Sequence, residues 1–123
     1  IVWLQNEGQI DLVTAVSGSG PAYFFYLMEA IERVAVGCGL GAATARTLIV
    51  ETAIGAGRLA LASPDSLAVL RKQVTSPGGT TEAAINSLDE SEVSESVGKA
   101  VNAAKARSEE LSQLLGTEDH DKK

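Results

Sequence analysis

Apolar residues recur along most of this chain at the spacing of helix turns, and apolar–polar alternation with a period of two is nearly absent. Good helix formers fill the segments between glycine- and proline-containing breaks. This pattern predicts an all-α fold, a helical bundle of about six helices. The expected helices span residues 8–17, 21–37, 42–62, a fourth segment capped by Ser63 with Pro64 at its first position, 80–88, and 91–115 capped by Ser91. Residues 1–5 are predicted to form a short extended lead-in.

The second and third predicted helices carry more apolar surface than one short chain can cover. The second is apolar almost all round and has charges only at Glu29, Glu32 and Arg33. The third repeats small residues at helical spacing, at Ala45, Ala53, Ala56, Gly57 and Ala60. Such a stripe lets another backbone approach closely, so we expect a packing reason for Gly57 and for Gly55. Both helices therefore predict a partner, and a symmetric second copy of the chain is the default.

Composition and charge exclude several classes of protein. The chain has 123 residues, of which 45% are hydrophobic, and a net charge of −6. That apolar fraction is too high for a disordered chain, and the acidic balance argues against a nucleic-acid-binding protein. No apolar run reaches the roughly 18 to 20 residues of a membrane span. We therefore expect a globular protein with neither nucleic acid nor membrane as a partner.

The single cysteine and the single histidine limit the available chemistry. Cys38 excludes an intrachain disulfide and favours a reducing compartment, hence a cytoplasmic location. Because His120 is the only other soft ligand, a zinc site is not expected. Cys38 lies between two glycines without a basic neighbour, which favours an inert thiol. The acidic residues between positions 89 and 95 are interpreted as the charged start of a helix.

Two glycine-rich segments are candidates for a binding site, and the first lies at residues 17–21. It places Tyr23 where a dinucleotide fingerprint needs its third glycine, and no buried strand is predicted before it. A dinucleotide site is therefore not supported here. A tight turn between two helices is favoured, with Ser19 as a cap and Pro21 in the first turn that follows. A contribution of this segment to a ligand pocket is the alternative.

The second glycine-rich segment, residues 76–81, combines a Pro-Gly-Gly turn with a pair of threonines. We expect an irregular turn with unpaired backbone N–H groups, followed by two hydroxyls at a helix N-terminus. With the positive end of the helix dipole, these groups form a cradle for an anion. No lysine follows the glycines, so this is not a Walker phosphate loop, and a small carboxylate suits it at least as well. The residues by themselves favour a capped turn without a ligand, with Thr80 or Gly79 as the N-cap, and the anion cradle is the alternative.

The two segments together resemble a known enzyme family. Residues 15–23 (AVSGSGPAY) and 74–81 (VTSPGGTT), in an all-helical acidic chain, are similar to those of pyrroline-5-carboxylate reductases. The resemblance covers residues 11–115 and includes the Gly-Leu pair at 39–40. It implies a two-domain enzyme, with an N-terminal Rossmann domain that binds NAD(P)H and a C-terminal helical domain that forms an interlocked homodimer. A homodecamer is a further assembly of that kind of enzyme.

The resemblance also implies how this chain is organised. Residues 1–7 correspond to the end of the Rossmann domain or its linker. Residues 8–115 correspond to the dimerisation and substrate-binding domain. The polar composition of residues 116–123 separately predicts a disordered tail. The full-length enzyme would use NAD(P)H, and no cofactor or metal is expected on this chain.

The reaction implied by the resemblance is the reduction of 1-pyrroline-5-carboxylate to L-proline by a hydride from the nicotinamide. The substrate carboxylate would lie on the second glycine-rich segment. The substrate-binding residues implied are Val74, Ser76, Gly78, Gly79, Thr80 and Thr81. Thr81 matches the family threonine that hydrogen-bonds the ring nitrogen, and it is the residue expected to have a catalytic role.

Two other functions are compatible with the residues themselves. One is a non-catalytic helical oligomerisation module with the same fold. The other is a protein that binds a phosphate or an acyl ligand at residues 76–81. This last hypothesis predicts an anion at the helix N-terminus but no cleft shared with a nucleotide-binding domain.

Overall fold

The computed structural model describes residues 6–121, apart from the side chains of Glu7 and of residues 117–121, and every regular element within that range is helical. The elements are α1 (Glu7–Val13), a π-helical turn (Thr14–Gly18), α2 (Gly20–Gly37), α3 (Ala42–Ala62), α4 (Leu67–Gln73), α5 (Thr80–Glu90) and α6 (Val93–Asp121). The all-α prediction is confirmed over this range. The predicted extended lead-in at residues 1–5 lies outside the described residues.

The chain divides into two compact units, and the first is built from its two ends. Its described part is residues 6–23 and 92–121, so it contains α1, the π-helical turn, the start of α2, and α6. Ala15 in the π-helical turn is completely buried. The Ser108 hydroxyl on α6 donates a hydrogen bond of 2.7 Å to Oδ1 of Asp11 on α1. This contact fixes α6 against the N-terminal helix of the same unit.

The second unit, residues 24–91, contains the rest of α2 together with α3, α4 and α5. Ala45 on α3 is buried, but many large apolar side chains are exposed, with Tyr26 at 79% and Leu61 at 89%. A groove of about 570 Å³ lies among the helices of this unit. Its lining includes Phe24, Met28, Leu48, Ala53, Gly57 and Leu67. The chain by itself therefore leaves apolar faces of α2 and α3 uncovered, as their sequence pattern predicts.

The end of α2 agrees with the prediction and shows why the sequence stops the helix there. Gly39 has a φ of 109°, in the left-handed region that favours glycine. Its N–H donates to the Val36 carbonyl, and the Leu40 N–H donates to the Ala35 carbonyl, both at 3.0 Å. These two bonds are those of a Schellman motif, which satisfies carbonyls at a helix end.

The first predicted helix, residues 8–17, differs from the structure. α1 ends at Val13, and the chain continues as a π-helical turn through Gly18. The Ser19 N–H donates to the Thr14 carbonyl at 2.9 Å, which is the i→i−5 spacing of a π-helix. The glycines therefore do not break the chain into a loop, because a wider helical turn carries it into α2. Pro21 lies in the first turn of α2, as predicted.

The predicted start of the fourth helix at Ser63 and Pro64 is wrong. α4 begins at Leu67, because Ser66 is its N-cap and accepts a hydrogen bond of 3.2 Å from the Val69 N–H. Ser63 instead ends α3, and its hydroxyl accepts a bond of 3.1 Å from the Asp65 N–H.

The predicted junction of the last two helices is also displaced. α5 continues through Glu90, so Ser91 is its C-cap and not the N-cap of α6. Glu92, with a φ of 55°, turns the chain, and its carbonyl accepts a bond of 3.1 Å from the Ser96 N–H in α6. α6 then passes the predicted end at residue 115 and continues to Asp121. Gly116 does not stop it, because one glycine inside a helix costs only about 1 kcal/mol relative to alanine.

Candidate functional site

The loop that joins α4 to α5, residues 74–79, contains most of the predicted site residues. Val74 is the C-cap of α4. The Thr75 hydroxyl donates to the Arg71 carbonyl at 2.6 Å, and the Thr75 N–H donates to the Lys72 carbonyl at 3.1 Å. These bonds use carbonyls at the end of α4, so they fix the start of the loop to that helix.

The middle of the loop is a tight turn that depends on two glycines. Gly78 has a φ of 71°, in the left-handed region. Gly79 is the N-cap of α5, and its N–H donates to the Ser76 carbonyl at 3.0 Å. A Cβ at Gly79 would lie 3.1 Å from that carbonyl oxygen, which is closer than ordinary contact. The turn therefore favours glycine at both positions and leads directly into α5, with Gly79 as one of the two predicted N-caps.

Two backbone N–H groups of this loop that we expected to be unpaired are paired. The Gly78 N–H donates to Oε1 of Glu82 at 3.2 Å, and the Gly79 N–H donates to Ser76 as described. The prediction of free amides at these two glycines is therefore wrong. The reason is local, because Glu82 lies in the first turn of α5 and its side chain reaches back over the helix start. The sequence signal that could have identified Glu82 is an acid three positions after an N-cap, the spacing of a capping box.

The donors that remain lie in the first turn of α5. The Ala83 N–H donates to the Gly79 carbonyl at 3.3 Å and begins the helical ladder. The N–H groups of residues 80–82 precede this bond, and such groups have no acceptor within their own helix. They point toward the positive end of the helix dipole, where negative charge is stabilised. The start of α5 thus offers backbone donors to an anion.

Three hydroxyl groups of the same segment add hydrogen-bonding capacity, those of Ser76, Thr80 and Thr81. Unlike the Thr75 hydroxyl, none of them is hydrogen-bonded to another residue within the described range. Ser76 and Thr80 are exposed and Thr81 is half-buried. Val74, before the turn, is also exposed. Ser76, Thr80 and Thr81 are therefore available at one helix start, and the arrangement is suited to a small carboxylate.

The other glycine-rich segment, residues 17–21, is used within its own unit. The Tyr23 hydroxyl donates to the Ala15 carbonyl at 2.6 Å, so it satisfies a carbonyl of the π-helical turn. Gly20 is buried. Among the described residues no strand precedes this segment, and it does not form the strand–turn–helix cradle of a dinucleotide site. It connects two helices as predicted, but through a π-helical turn and not through a tight turn capped by the Ser19 side chain.

The rest of the described chain offers little further chemistry. Its side chains include no group of three or more His, Cys, Asp or Glu placed to hold a metal ion. Cys38 is a free, exposed thiol, and the side chain of His120 lies outside those described. Glu29 and Arg33 form an ion pair at 3.4 Å on an exposed face, where such pairs contribute little to stability. Within residues 6–121, no helix combines the length and apolarity needed to cross a bilayer.

Comparison with known proteins gives consistent matches over most of the chain. The model of the family described as pyrroline-5-carboxylate reductase dimerisation matches residues 7–111. The chain is 52% identical over 115 residues to the pyrroline-5-carboxylate reductase of Pseudomonas aeruginosa, a match that covers 94% of this chain and 42% of that protein.

Solved structures give the same result. A pyrroline-5-carboxylate reductase from Coxiella burnetii superposes with a TM-score of 0.86 at 46% identity, covering 89% of this chain and 41% of that one. The pyrroline carboxylate reductase of Plasmodium falciparum, solved with NADP bound, superposes with a TM-score of 0.82 at 30% identity, covering 88% and 41%. The chain therefore spans less than half the length of the relatives it matches.

Proposed function

The chain belongs to the pyrroline-5-carboxylate reductase family, and from this premise we propose that it supplies the substrate-carboxylate loop and the dimer interface of an enzyme that reduces 1-pyrroline-5-carboxylate to L-proline. The observation that carries the proposal is the start of α5, where free backbone donors and free hydroxyls meet in one segment. Reduction of the C=N bond requires a hydride at the carbon, which NAD(P)H supplies in the proposed enzyme, and a proton at the nitrogen, which water supplies. The described residues do not fit a dinucleotide, so we assign nucleotide binding to a separate domain of that enzyme.

In the proposed complex, the substrate carboxylate accepts hydrogen bonds from the N–H groups of Thr80 and Thr81 and from the Ser76 hydroxyl. The dipole of α5 favours the negative charge of the carboxylate at this end. Gly78 and Gly79 shape the turn, since their own N–H groups are already paired.

The Thr81 hydroxyl has the catalytic role in this proposal. It lies in the first turn of α5, half-buried and without a described protein partner. It can therefore donate a hydrogen bond to the ring nitrogen as the imine becomes an amine. Val74, with 62% of its surface exposed, offers an apolar contact to the ring.

The test uses a chimeric reductase in which this chain replaces the matching segment of the Pseudomonas aeruginosa enzyme. Thr81→Ala should lower kcat/KM for 1-pyrroline-5-carboxylate about twofold to tenfold, which corresponds to about 0.5–1.5 kcal/mol for one hydrogen bond to a neutral group. Thr47→Ala is the matched control, because Thr47 is exposed on α3 and its hydroxyl is not hydrogen-bonded within the described chain. The control should leave kcat/KM unchanged.

Different outcomes contradict different parts of the proposal. An unsubstituted chimera that forms dimers but lacks NAD(P)H-dependent reduction would favour the non-catalytic oligomerisation module instead. Equal losses from Thr81→Ala and Thr47→Ala would remove the assigned role of Thr81 and leave the family membership in place.

The proposed partner is a second copy of the chain. Gly57 lies in the wall of the groove of the second unit, and a Cβ built on it would meet nothing within 4 Å. No contact within the described part of the chain therefore explains this glycine, and we assign its packing reason to a second chain that approaches α3 closely. A twofold symmetric pair would cover the groove on both copies. An interlocked dimer, and a decamer built from such dimers, are the assemblies implied by the family resemblance.

Light scattering coupled to size-exclusion chromatography tests this assembly. Ala56→Arg places a charge in the apolar groove and should convert the dimer to a monomer. Ala62→Arg, which is exposed at the end of α3 and does not line the groove, should leave the mass unchanged. A monomeric unsubstituted chain would contradict the proposed dimer, and a mass of ten chains would indicate a decamer.

A further inference from the structure

The side chain of Glu82 contacts the turn before α5. It is half-buried in the first turn of that helix, and its Oε1 accepts a hydrogen bond of 3.2 Å from the Gly78 N–H. Its location resembles that of the acid in a capping box, except that it takes the N–H one residue before the N-cap Gly79. Neither the sequence pattern nor the family resemblance assigned Glu82 a role.

The hydrogen bond from the Gly78 N–H to Glu82 matters because glycine has the greatest conformational freedom of any residue type. Gly78 has a φ of 71°, and glycine reaches both signs of φ with similar ease, so its own preferences do not select this conformation. Glu82 holds the Gly78 N–H, and Ser76 holds the Gly79 N–H at 3.0 Å. Two consecutive peptide groups are thereby fixed directly before the free donors of Thr80 and Thr81.

Because Glu82 carries a negative charge, positioning of the loop by Glu82 can be distinguished from direct attraction of the substrate carboxylate. A carboxylate at the start of α5 opposes a second carboxylate there, because like charges disfavour one another. Glu82 therefore does not act by attracting the substrate. If it helps binding, it does so through the geometry of the Gly78 peptide.

We infer that Glu82 is a positioning residue for the substrate-carboxylate loop, which it holds in the binding geometry through the Gly78 N–H. This inference rests on the proposed function of the loop. It predicts that loss of the acceptor weakens substrate binding although a negative charge is removed. It also predicts that a neutral side chain that keeps the acceptor oxygen preserves binding.

The experiment compares Glu82→Ala with Glu82→Gln in the chimeric reductase. Glu82→Ala should raise KM for 1-pyrroline-5-carboxylate about fivefold with little change in kcat, since one lost cap of this kind corresponds to about 1 kcal/mol. Glu82→Gln, which retains an acceptor, should have the unsubstituted KM or a lower one. Glu95→Ala is the matched control, because Glu95 lies in the first turn of α6 and makes no hydrogen bond or ion pair within the described range. It should leave KM unchanged.

A second measurement reports on the hydrogen bond without substrate or activity. In ¹⁵N–¹H spectra of the chain, the Gly78 amide proton should move upfield and exchange faster with water in Glu82→Ala. In Glu82→Gln it should stay close to its unsubstituted position.

The outcomes keep this inference distinct from the proposed function. A lower KM in both Glu82 variants would show that the carboxylate only repels the substrate and would overturn the inference. An unchanged KM in Glu82→Ala, with Thr81→Ala still impaired, would also overturn it while the proposed function stands. If neither Thr81→Ala nor Glu82→Ala changes KM or kcat, the proposed function of the loop fails, and the positioning role fails with it even if the Gly78 resonance has moved.

Discussion

The two glycine-rich segments of the chain both lead into a helix, but the fold uses them differently. In residues 17–21 the backbone passes through a π-helical turn directly into α2. The Ser19 N–H reaches the Thr14 carbonyl, and the Tyr23 hydroxyl reaches the Ala15 carbonyl. Little hydrogen-bonding capacity of this backbone is left for a ligand.

In residues 76–81 the glycines form the turn itself, and the polar groups that follow stay free. Gly78 takes a positive φ, whereas neither glycine of residues 17–21 does. The N–H groups at the start of α5 and the hydroxyls of Ser76 and Thr81 have no partner in the described chain. Similar composition thus produces a structural connection in one place and a candidate anion site in the other, and the backbone geometry decides between them.

The largest effect that tests this contrast is expected from Gly78→Ala. A Cβ at a φ of 71° costs about 1–2 kcal/mol, so the free energy of unfolding should fall by that amount. Gly20→Ala is the matched change in the other segment. Its Cβ would meet nothing within 4 Å, and the free energy of unfolding should stay the same or rise by up to about 1 kcal/mol. Urea unfolding of both variants measures the difference, and equal destabilisation by the two would abolish the contrast.

Tyr23→Phe should have an intermediate effect, on stability alone. The change removes the hydroxyl that donates to Ala15 at 2.6 Å and leaves that carbonyl without this donor. We expect a loss of about 1 kcal/mol in the free energy of unfolding, as for an ordinary hydrogen bond. KM of the chimeric reductase should be unchanged, and a raised KM would mean that residues 17–23 also contribute to the pocket.

Ser76→Ala should have the smallest effect on stability. In contrast to Tyr23→Phe, it should change KM and leave the free energy of unfolding nearly unchanged. The Ser76 hydroxyl is exposed and is not hydrogen-bonded within the described chain, so the free energy of unfolding should change by less than about 0.5 kcal/mol. KM for 1-pyrroline-5-carboxylate should rise about twofold to tenfold, the range for one hydrogen bond of about 0.5–1.5 kcal/mol. A loss of stability with no change in KM would mean that Ser76, like Tyr23, has a structural role and does not contact the substrate.

The features that the sequence predicted correctly are those set by neighbouring residues. The end of α2 follows from Gly39, which alone suits the left-handed conformation there, and the start of α5 follows from Gly79 and the threonines after it. The uncovered faces of α2 and α3 follow from their apolar and small-residue patterns. All of these depend on local chemistry or periodicity, which one sequence contains.

The features that the sequence did not predict depend on competition or on distant contacts. Ser63 and Ser66 are both good caps, but the Ser63 hydroxyl accepts from the Asp65 N–H in the turn after α3, whereas the Ser66 hydroxyl accepts from the Val69 N–H and caps α4. The π-helical turn is accompanied by the bond from Tyr23 to Ala15, eight positions away. The free amide predicted at Gly78 was wrong because a side chain in the next helix takes it. In each case two locally acceptable solutions existed, and a specific side-chain hydrogen bond accompanies the one that forms.

The proposed function depends on carboxylate binding at the start of α5, and titration of the ¹⁵N-labelled chain with L-proline tests this claim. L-Prolinamide, which lacks the carboxylate, is the control ligand. We predict that L-proline shifts the amide resonances of Thr80 and Thr81 in a saturable manner, that L-prolinamide does not, and that residues 17–21 are unaffected by either. Shifts confined to residues 17–21, or an equal response to both ligands, would contradict the claim.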